Sequence, residues 1–309
     1  MARLLKFANW AMILTYTVIV IGAAVRVYEA GLSCPDWPKC YGLWLPFPVE
    51  ESWGYTNWEV FLEWVHRLLA AILGFIILAL TILSFKQRKQ YKGVALWPTI
   101  ALIILFVQVK LGMATVLLDN IHWSVAIHLG NAILLFAALI IARKRIATAL
   151  DADNKITPAP FKFKLNLWLL FFSTFFTMLL GAMVSTSYSG GVCGGLPLCN
   201  GEFMPKGDFQ AILHMKHRIF AVITWLIALG LFWTSSHADP AYKKTAKGIN
   251  IIVLGQIFIG IILLYSFSHY AWAYKGLSVF HLAWGSLIIL ATTGALAKVR
   301  YGMGGSFHK

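Results

Sequence analysis

Eight apolar stretches, each long enough to cross a lipid bilayer, constrain this chain more than any other feature of its sequence. A transmembrane helix needs about 20 mainly apolar residues. The chain offers this length at residues 7–27, 58–85, 94–118, 122–142, 163–186, 209–233, 246–267 and 276–297. Only 12% of its 309 residues are charged, against about 25% in soluble proteins. The sequence therefore predicts an all-α polytopic membrane protein with eight transmembrane helices.

The basic residues fall mainly into alternate loops and the two ends of the chain. They cluster at 86–92, 143–164 and 243–247, whereas most acidic residues and all four cysteines lie in the opposite loops. Lys and Arg concentrate on the cytoplasmic side of membrane proteins. We therefore expect both termini in the cytoplasm and the cysteine loops outside, in the cytoplasmic membrane of a bacterium. This distribution explains the net charge of +14 without a nucleic-acid partner.

Two halves of the chain are similar in sequence. Residues 22–42 align without gaps on residues 181–201, with glycine, alanine, valine, proline and two cysteines in register. Four helices per half is an even number, so both halves enter the membrane from the same side and form a parallel repeat. A polar stretch at 143–164 interrupts the apolar pattern and predicts a linker. We expect two four-helix bundles, at residues 1–150 and 151–309.

The cysteines form two closely spaced pairs. Cys34 and Cys40 lie in one outer loop, and Cys193 and Cys199 lie in the corresponding later loop. Disulfides persist in an oxidising outer compartment. We interpret both pairs as structural disulfides; the alternative is a thiol pair that exchanges electrons with a redox partner.

Each half also carries two histidines within apolar helices: His66 and His128 in the first, His217 and His281 in the second. Ionisable side chains at membrane depth are costly and usually functional. At 1.5 Å per residue, His66 and His128 lie roughly 12 Å below the outer boundary, and His281 is expected somewhat closer to it. One histidine could simply bond a neighbouring helix, but four at matched positions favour cofactor sites between facing helices.

Haem iron suits such a pair of imidazoles, because the porphyrin supplies the other four ligands. Zinc or a di-iron centre would require more protein ligands at each site. Arg67 and Arg218 follow two of the histidines directly. They are candidates for bidentate contacts to anionic propionates, or they extend to lipid headgroups.

Glu63 marks a difference between the halves. It precedes His66 by three residues and so shares its helix face, whereas His214 stands at the matching place in the second half. A carboxyl group beside a porphyrin can transfer protons. The alternatives are that Glu63 pairs with Lys110, whose own counterpart is Phe258, or that it orients His66.

The full set of motifs resembles the haem A synthase family. The resemblance rests on Glu-x-x-His-Arg at 63–67, on His217-Arg218, on His128 and His281 and on the cysteine pairs. It implies an enzyme that oxidises the C8 methyl of haem O to a formyl group for cytochrome oxidase. His66 and His128 would then flank substrate haem O, His217 and His281 would ligate a haem b, and Glu63 would be the acid or base. A haem O synthase as supplier, an electron donor and a possible homo-oligomer are the expected partners.

Three other classes of protein remain open from the residues alone. A b-type cytochrome that only transfers electrons would use both histidine pairs. A cytochrome that carries electrons across the membrane is, however, expected to place its haems toward opposite membrane faces. A haem carrier would need no Glu63. A quinone-linked thiol oxidoreductase would use the cysteines and leave the four histidines without a role.

Overall fold

The computed structural model describes residues 1–151, 157–237 and 239–302. Their regular structure consists of eight α-helices and three short 3₁₀ turns. The helices are α1 (Ala2–Val27), α2 (Asn57–Gln87), α3 (Leu96–Leu117), α4 (His122–Ala149), α5 (Phe161–Thr186), α6 (Phe209–Thr234), α7 (Pro240–His269) and α8 (Ala271–Tyr301). All eight are long and apolar enough to cross a membrane, which confirms the predicted all-α multi-pass fold. Residues 152–156 of the expected linker lie outside the described residues.

The helices pack in two sets of four that share one interface. In the first set α1 contacts α2 and α4, and α3 contacts α2 and α4; in the second set α5 contacts α6 and α8, and α7 contacts α6 and α8. The contacts of α1 with α8, α4 with α5 and α4 with α8 join the two sets. Of the eight helices, α4 is the most buried and α3 the least.

The two largest apolar clusters lie at the ends of the helices away from the cysteine loops. One is built around Leu4, Ile77 and Ile146, and the other around Phe163, Leu231 and Tyr242. A third cluster, which includes Ile19, Phe136, Phe171 and Ile289, joins α1, α4, α5 and α8. The histidines lie nearer the helix ends that carry the cysteine loops. Apolar packing therefore holds the helices together at the ends away from the candidate site.

Side-chain caps begin three of the helices. Thr56 and Glu59 form a reciprocal capping box at the start of α2, and the carboxylates of Asp208 and Asp239 accept backbone N–H bonds at the starts of α6 and α7. Such caps satisfy backbone donors that a first helical turn leaves free.

The position expected for His281 was wrong. Because α7 continues to His269 and α8 begins at Ala271, only Tyr270 separates the two helices, and His281 lies ten residues into α8 rather than near its start. Residues 271–275 contain no glycine or proline that would delay the helix. His281 is therefore no closer to its helix end than the other three histidines.

Both predicted disulfides are present, Cys34 with Cys40 and Cys193 with Cys199. All four cysteines are almost fully buried. Each disulfide loop also closes through paired backbone hydrogen bonds, between Cys40 and Leu43 in the first and between Cys199 and Glu202 in the second. The two loops thus have the same local construction.

Candidate functional site

Each of the four membrane histidines lies against a glycine of the preceding helix. The pairs are Gly22 with His66, Gly112 with His128, Gly181 with His217, and Gly260 with His281. A methyl carbon built on any of these glycines would stand 3.0 or 3.1 Å from Cε1 of the facing imidazole, inside the usual carbon contact distance of about 3.5–4.0 Å. The missing side chain is therefore what lets each ring lie against the neighbouring backbone.

The two histidines of the second half face each other across the bundle. The ring centroids of His217 and His281 are 6.4 Å apart and their planes cross at 73°. Nδ1 of His217 donates to the carbonyl oxygen of Thr177 at 3.0 Å. This bond orients the ring and leaves Nε2 with a lone pair that is available to a metal.

A glutamine amide lies against the later histidine of each half. Nε2 of Gln108 is 3.2 Å from both ring nitrogens of His128, and Nε2 of Gln256 is 3.3 and 3.1 Å from those of His281. Near-equal distances to both nitrogens place the amide over the imidazole rather than in line with one lone pair. Oε1 of Gln108 also accepts from Asn131 Nδ2 at 2.7 Å, and this hydrogen bond joins α3 to α4.

Arg67 and Arg218 hold the two disulfide loops in the same way. In the first half, the Nη atoms of Arg67 donate to the carbonyl oxygens of Cys34, Asp36 and Lys39. In the second half, those of Arg218 donate to Cys193, Gly195 and Leu198. The acceptor positions match residue for residue in the aligned loops. These hydrogen bonds give both arginines a structural role, which is to hold the disulfide loops. The contacts with haem propionates that the sequence suggested stay a prediction.

Glu63 is buried, with 4% of its surface exposed, and it belongs to the same network in the first half. Its Oε1 pairs with Nη2 of Arg67 at 2.6 Å. Its Oε2 accepts from Ser33 Oγ at 3.0 Å and from the backbone N–H of Cys34 at 2.9 Å. The alternative partner considered for Glu63, Lys110, instead lies with its Nζ over the ring of Phe106.

His214 stands at the place of Glu63 in the second half and is also buried. An imidazole cannot reproduce the two-oxygen acceptor of a carboxylate. The loop of the second half is consequently held by Arg218 without the ion pair that reinforces Arg67.

Two parts of the site do not follow from motif reading. Ser33, a donor to Glu63, lies in an irregular loop, and its only sequence signal is that it precedes Cys34. The roles of Gly22 and Gly181 are also new, although both belong to the aligned segments at 22–42 and 181–201. Their repetition in register was the signal that could have linked them to the histidines.

Several known proteins are similar in sequence to this chain over most of its length. A protein named heme A synthase from Shouchella clausii is 25% identical over 277 residues, which cover 88% of each chain. The heme A synthase of Shewanella oneidensis is 27% identical over 288 residues, covering 81% of this chain and 84% of the relative. That of Exiguobacterium sibiricum is 27% identical over 249 residues, or 78% of each. The family model described as cytochrome oxidase assembly protein matches residues 6–293. The chain therefore belongs to the cytochrome oxidase assembly protein family.

Proposed function

We propose that this chain is a haem A synthase, a membrane oxidoreductase that converts the C8 methyl group of haem O into the formyl group of haem A. The relatives named heme A synthase, which align over most of the chain, support the reaction. The observation that carries the proposal is the set of four matched glycine and histidine contacts. Two separate histidine pairs suit a protein that must hold one haem as substrate and another as cofactor.

The residues of the second half fit a haem site. His217 and His281 face each other with ring centroids 6.4 Å apart, and these two imidazoles would hold the haem between them. The carbonyl of Thr177 holds His217 in the tautomer that a bond to the haem iron needs. We assign these histidines to a haem b, which supplies one-electron transfer when bound.

The first half is assigned to the substrate. His66 and His128 are backed by Gly22 and Gly112 as their counterparts are by Gly181 and Gly260, so we expect the same kind of planar ligand between them. Haem O enters here as substrate, with its reacting methyl group on the porphyrin edge. Fixing the iron at two imidazoles would orient this edge before the chemical step.

Glu63 is assigned as the acid or base of the first half. Its carboxylate shares a helix face with His66 and has no equivalent in the second half, where His214 stands. Ser33, Cys34 and Arg67 fix both carboxylate oxygens. This network holds the group in one orientation and keeps bulk water from it, so that it can exchange a proton at a defined place.

The proposal includes a topology and partners. Residues 1–150 form the substrate half and residues 151–309 the haem b half, with both termini cytoplasmic and the disulfide loops outside. A haem O synthase supplies the substrate, a separate donor supplies electrons, and the product enters cytochrome oxidase. The loop charges that favour the cytoplasmic side and the family match support these assignments.

Extraction and chromatographic identification of the haems is the test. The protein is produced in cells that also make haem O, and its bound haems are compared with those of His66→Ala and His217→Ala variants. We expect haem A, or its hydroxylated precursor, together with haem b. Unmodified haem alone, despite haem O, oxygen and reductant, would contradict the proposal and favour a b-type electron-transfer cytochrome or a haem carrier.

A further inference from the structure

The outward face of α3 carries an apolar seam that nothing in the described chain covers. Its members recur at alternating spacings of three and four residues, which is the heptad spacing by which two helices pack along a common seam. They are Ile103, Phe106, Lys110, Met113 and Leu117. All are exposed, and the four apolar members range from 37% exposed for Met113 to 71% for Leu117. Gln108 and Gly112, which contact His128, lie on the opposite side of the helix.

Lys110 is the one charged member of this seam and occupies its centre. It lies seven residues before the end of α3, about 10 Å along the helix axis. Its Nζ lies 5.0 Å from the ring centroid of Phe106, four residues earlier. The side chain therefore runs back toward the middle of the membrane, away from the headgroups at the nearer helix end. Within the described chain it has no ion-pair partner.

The matching helix of the second half has the same seam without the charge. The residues of α7 at the corresponding positions are Ile251, Leu254, Phe258, Ile261 and Tyr265, all exposed. An apolar seam needs no partner in lipid, because lipid tails solvate it as well as a helix does. A lysine at the same depth does need one, since an ammonium group in hydrocarbon is costly. The difference between the helices thus points to a specific occupant for α3.

A second copy of this chain is a poor occupant. Symmetric pairing of α3 would bring one Lys110 toward the other and cause repulsion. Within the described residues, the helices contain only two acidic side chains, Glu59 and Glu63. Glu59 closes a capping box at the helix start and Glu63 pairs with Arg67. Glu63 lies at a depth similar to that of Lys110, but Arg67 already occupies it, so the described helices leave no carboxylate to pair with Lys110.

We propose that the α3 seam is a docking surface for a transmembrane helix of another protein, and that this helix presents a carboxylate opposite Lys110. A single lysine at such a seam position fixes the register and the choice of partner. The apolar members on either side supply the packing, and the ion pair excludes helices that lack the acid. This surface lies on the side of α3 away from His128, so docking leaves the histidine site accessible to its own ligand.

The test uses a synthetic apolar helix of about 22 residues with one central glutamate, and a matched helix with glutamine. Energy transfer between each labelled helix and the labelled full-length protein is measured in phosphatidylcholine vesicles. We expect the glutamate helix to bind about three- to twentyfold more tightly, in line with polar contacts between membrane helices. Lys110→Leu should abolish this preference, and Lys110→Glu should transfer it to a lysine-bearing helix.

Phe258→Leu on the matching seam of α7 is the control and should leave the preference unchanged. Equal binding of the two helices, or a preference that survives Lys110→Leu, would overturn the proposal. Adding phosphatidylglycerol to the vesicles tests whether the anionic partner of Lys110 is a lipid phosphate instead of a protein carboxylate. If this lipid abolishes the preference for the glutamate helix, Lys110 contacts lipid phosphate and the protein partner is excluded.

Discussion

Each histidine ring packs against a glycine, and it can do so only because glycine has no side chain in the space that the ring occupies. At Gly181 an added methyl carbon would lie 3.0 Å from Cε1 and 3.4 Å from Nδ1 of His217. The ring cannot easily retreat, because Nδ1 is bonded to Thr177. Overfilling a packed site of this kind costs about 1–3 kcal/mol.

Gly181→Ala is therefore expected to lower the haem b content of the purified protein, with Gly181→Val lowering it further. The added carbon would displace the His217 ring from the place where it would bind the proposed haem b. Haem content per protein, measured from the absorption spectrum, checks this, with His217→Ala as the reference for complete loss. Gly248→Ala is the matched control, since no atom lies within 4 Å of a methyl group built there. Full haem b content in Gly181→Val would show that Gly181 is not needed to position His217.

Glu63→Gln is expected to retain haem binding and lose conversion, leaving haem O or a hydroxylated intermediate. A glutamine has one acceptor oxygen, whereas the Glu63 carboxylate accepts from Ser33, Cys34 and Arg67 on two. Chromatography of extracted haems reports the conversion. Glu59→Gln, which alters a half-buried carboxylate one turn earlier, should convert normally. Full conversion by Glu63→Gln would remove this carboxyl group from the mechanism.

At the scale of elements, each disulfide loop is tied to a helix by one arginine. The guanidinium of Arg218 lies 2.6 to 3.2 Å from three carbonyl oxygens of its loop. Hydrogen bonds to a charged group contribute about 1.5–3 kcal/mol each. Removing the group leaves the carbonyls without their donor, so the loop should open more often and expose its buried disulfide.

Arg218→Gln should thus increase the rate at which a dithiol reduces Cys193–Cys199, by about tenfold or more. The Cys34–Cys40 disulfide in the same molecule should keep its original rate, and Arg67→Gln should produce the reverse pattern. Mass spectrometry of alkylated thiols follows both disulfides at once. Lys216→Gln, an exposed neighbour, serves as the substitution control. Equal acceleration of both disulfides would indicate general unfolding instead of local loop release.

Hydropathy predicted the helices better than their ends. Span seven was expected at 246–267, but α7 begins at Pro240 because Asp239 caps it and the basic turn containing Lys243 and Lys244 continues as helix. The histidine pairs and disulfides could be read from the repeat. The contacts of glycine with histidine do not follow from residue spacing, because loops of unequal length separate the partners in each pair, and the repetition of Gly22 and Gly181 in register was their only sequence signal. The arginine contacts depend on the loop backbone conformation, which residue spacing does not encode.

At the scale of the whole molecule, the loop charges predict its orientation in the membrane. Alkaline phosphatase fused within residues 201–207 should be active, whereas a fusion within residues 88–93 should be inactive, because the positive loops stay in the cytoplasm. A fluorescent protein that folds only in the cytoplasm should give the opposite pattern. Exchange of the two activities would invert the proposed topology.

The burial of α4 between α1, α3, α5 and α8 has a consequence for biogenesis. The ribosome completes α4 before α5 and α8 exist, and at usual rates the last helix follows roughly 8–30 s later. During this interval the α4 surface that includes Phe136 and Ile140 faces lipid, which solvates it without the aggregation that water would provoke. The partly assembled nascent chain can therefore persist in the membrane until α8 is synthesised and packs against α1, α4 and α5.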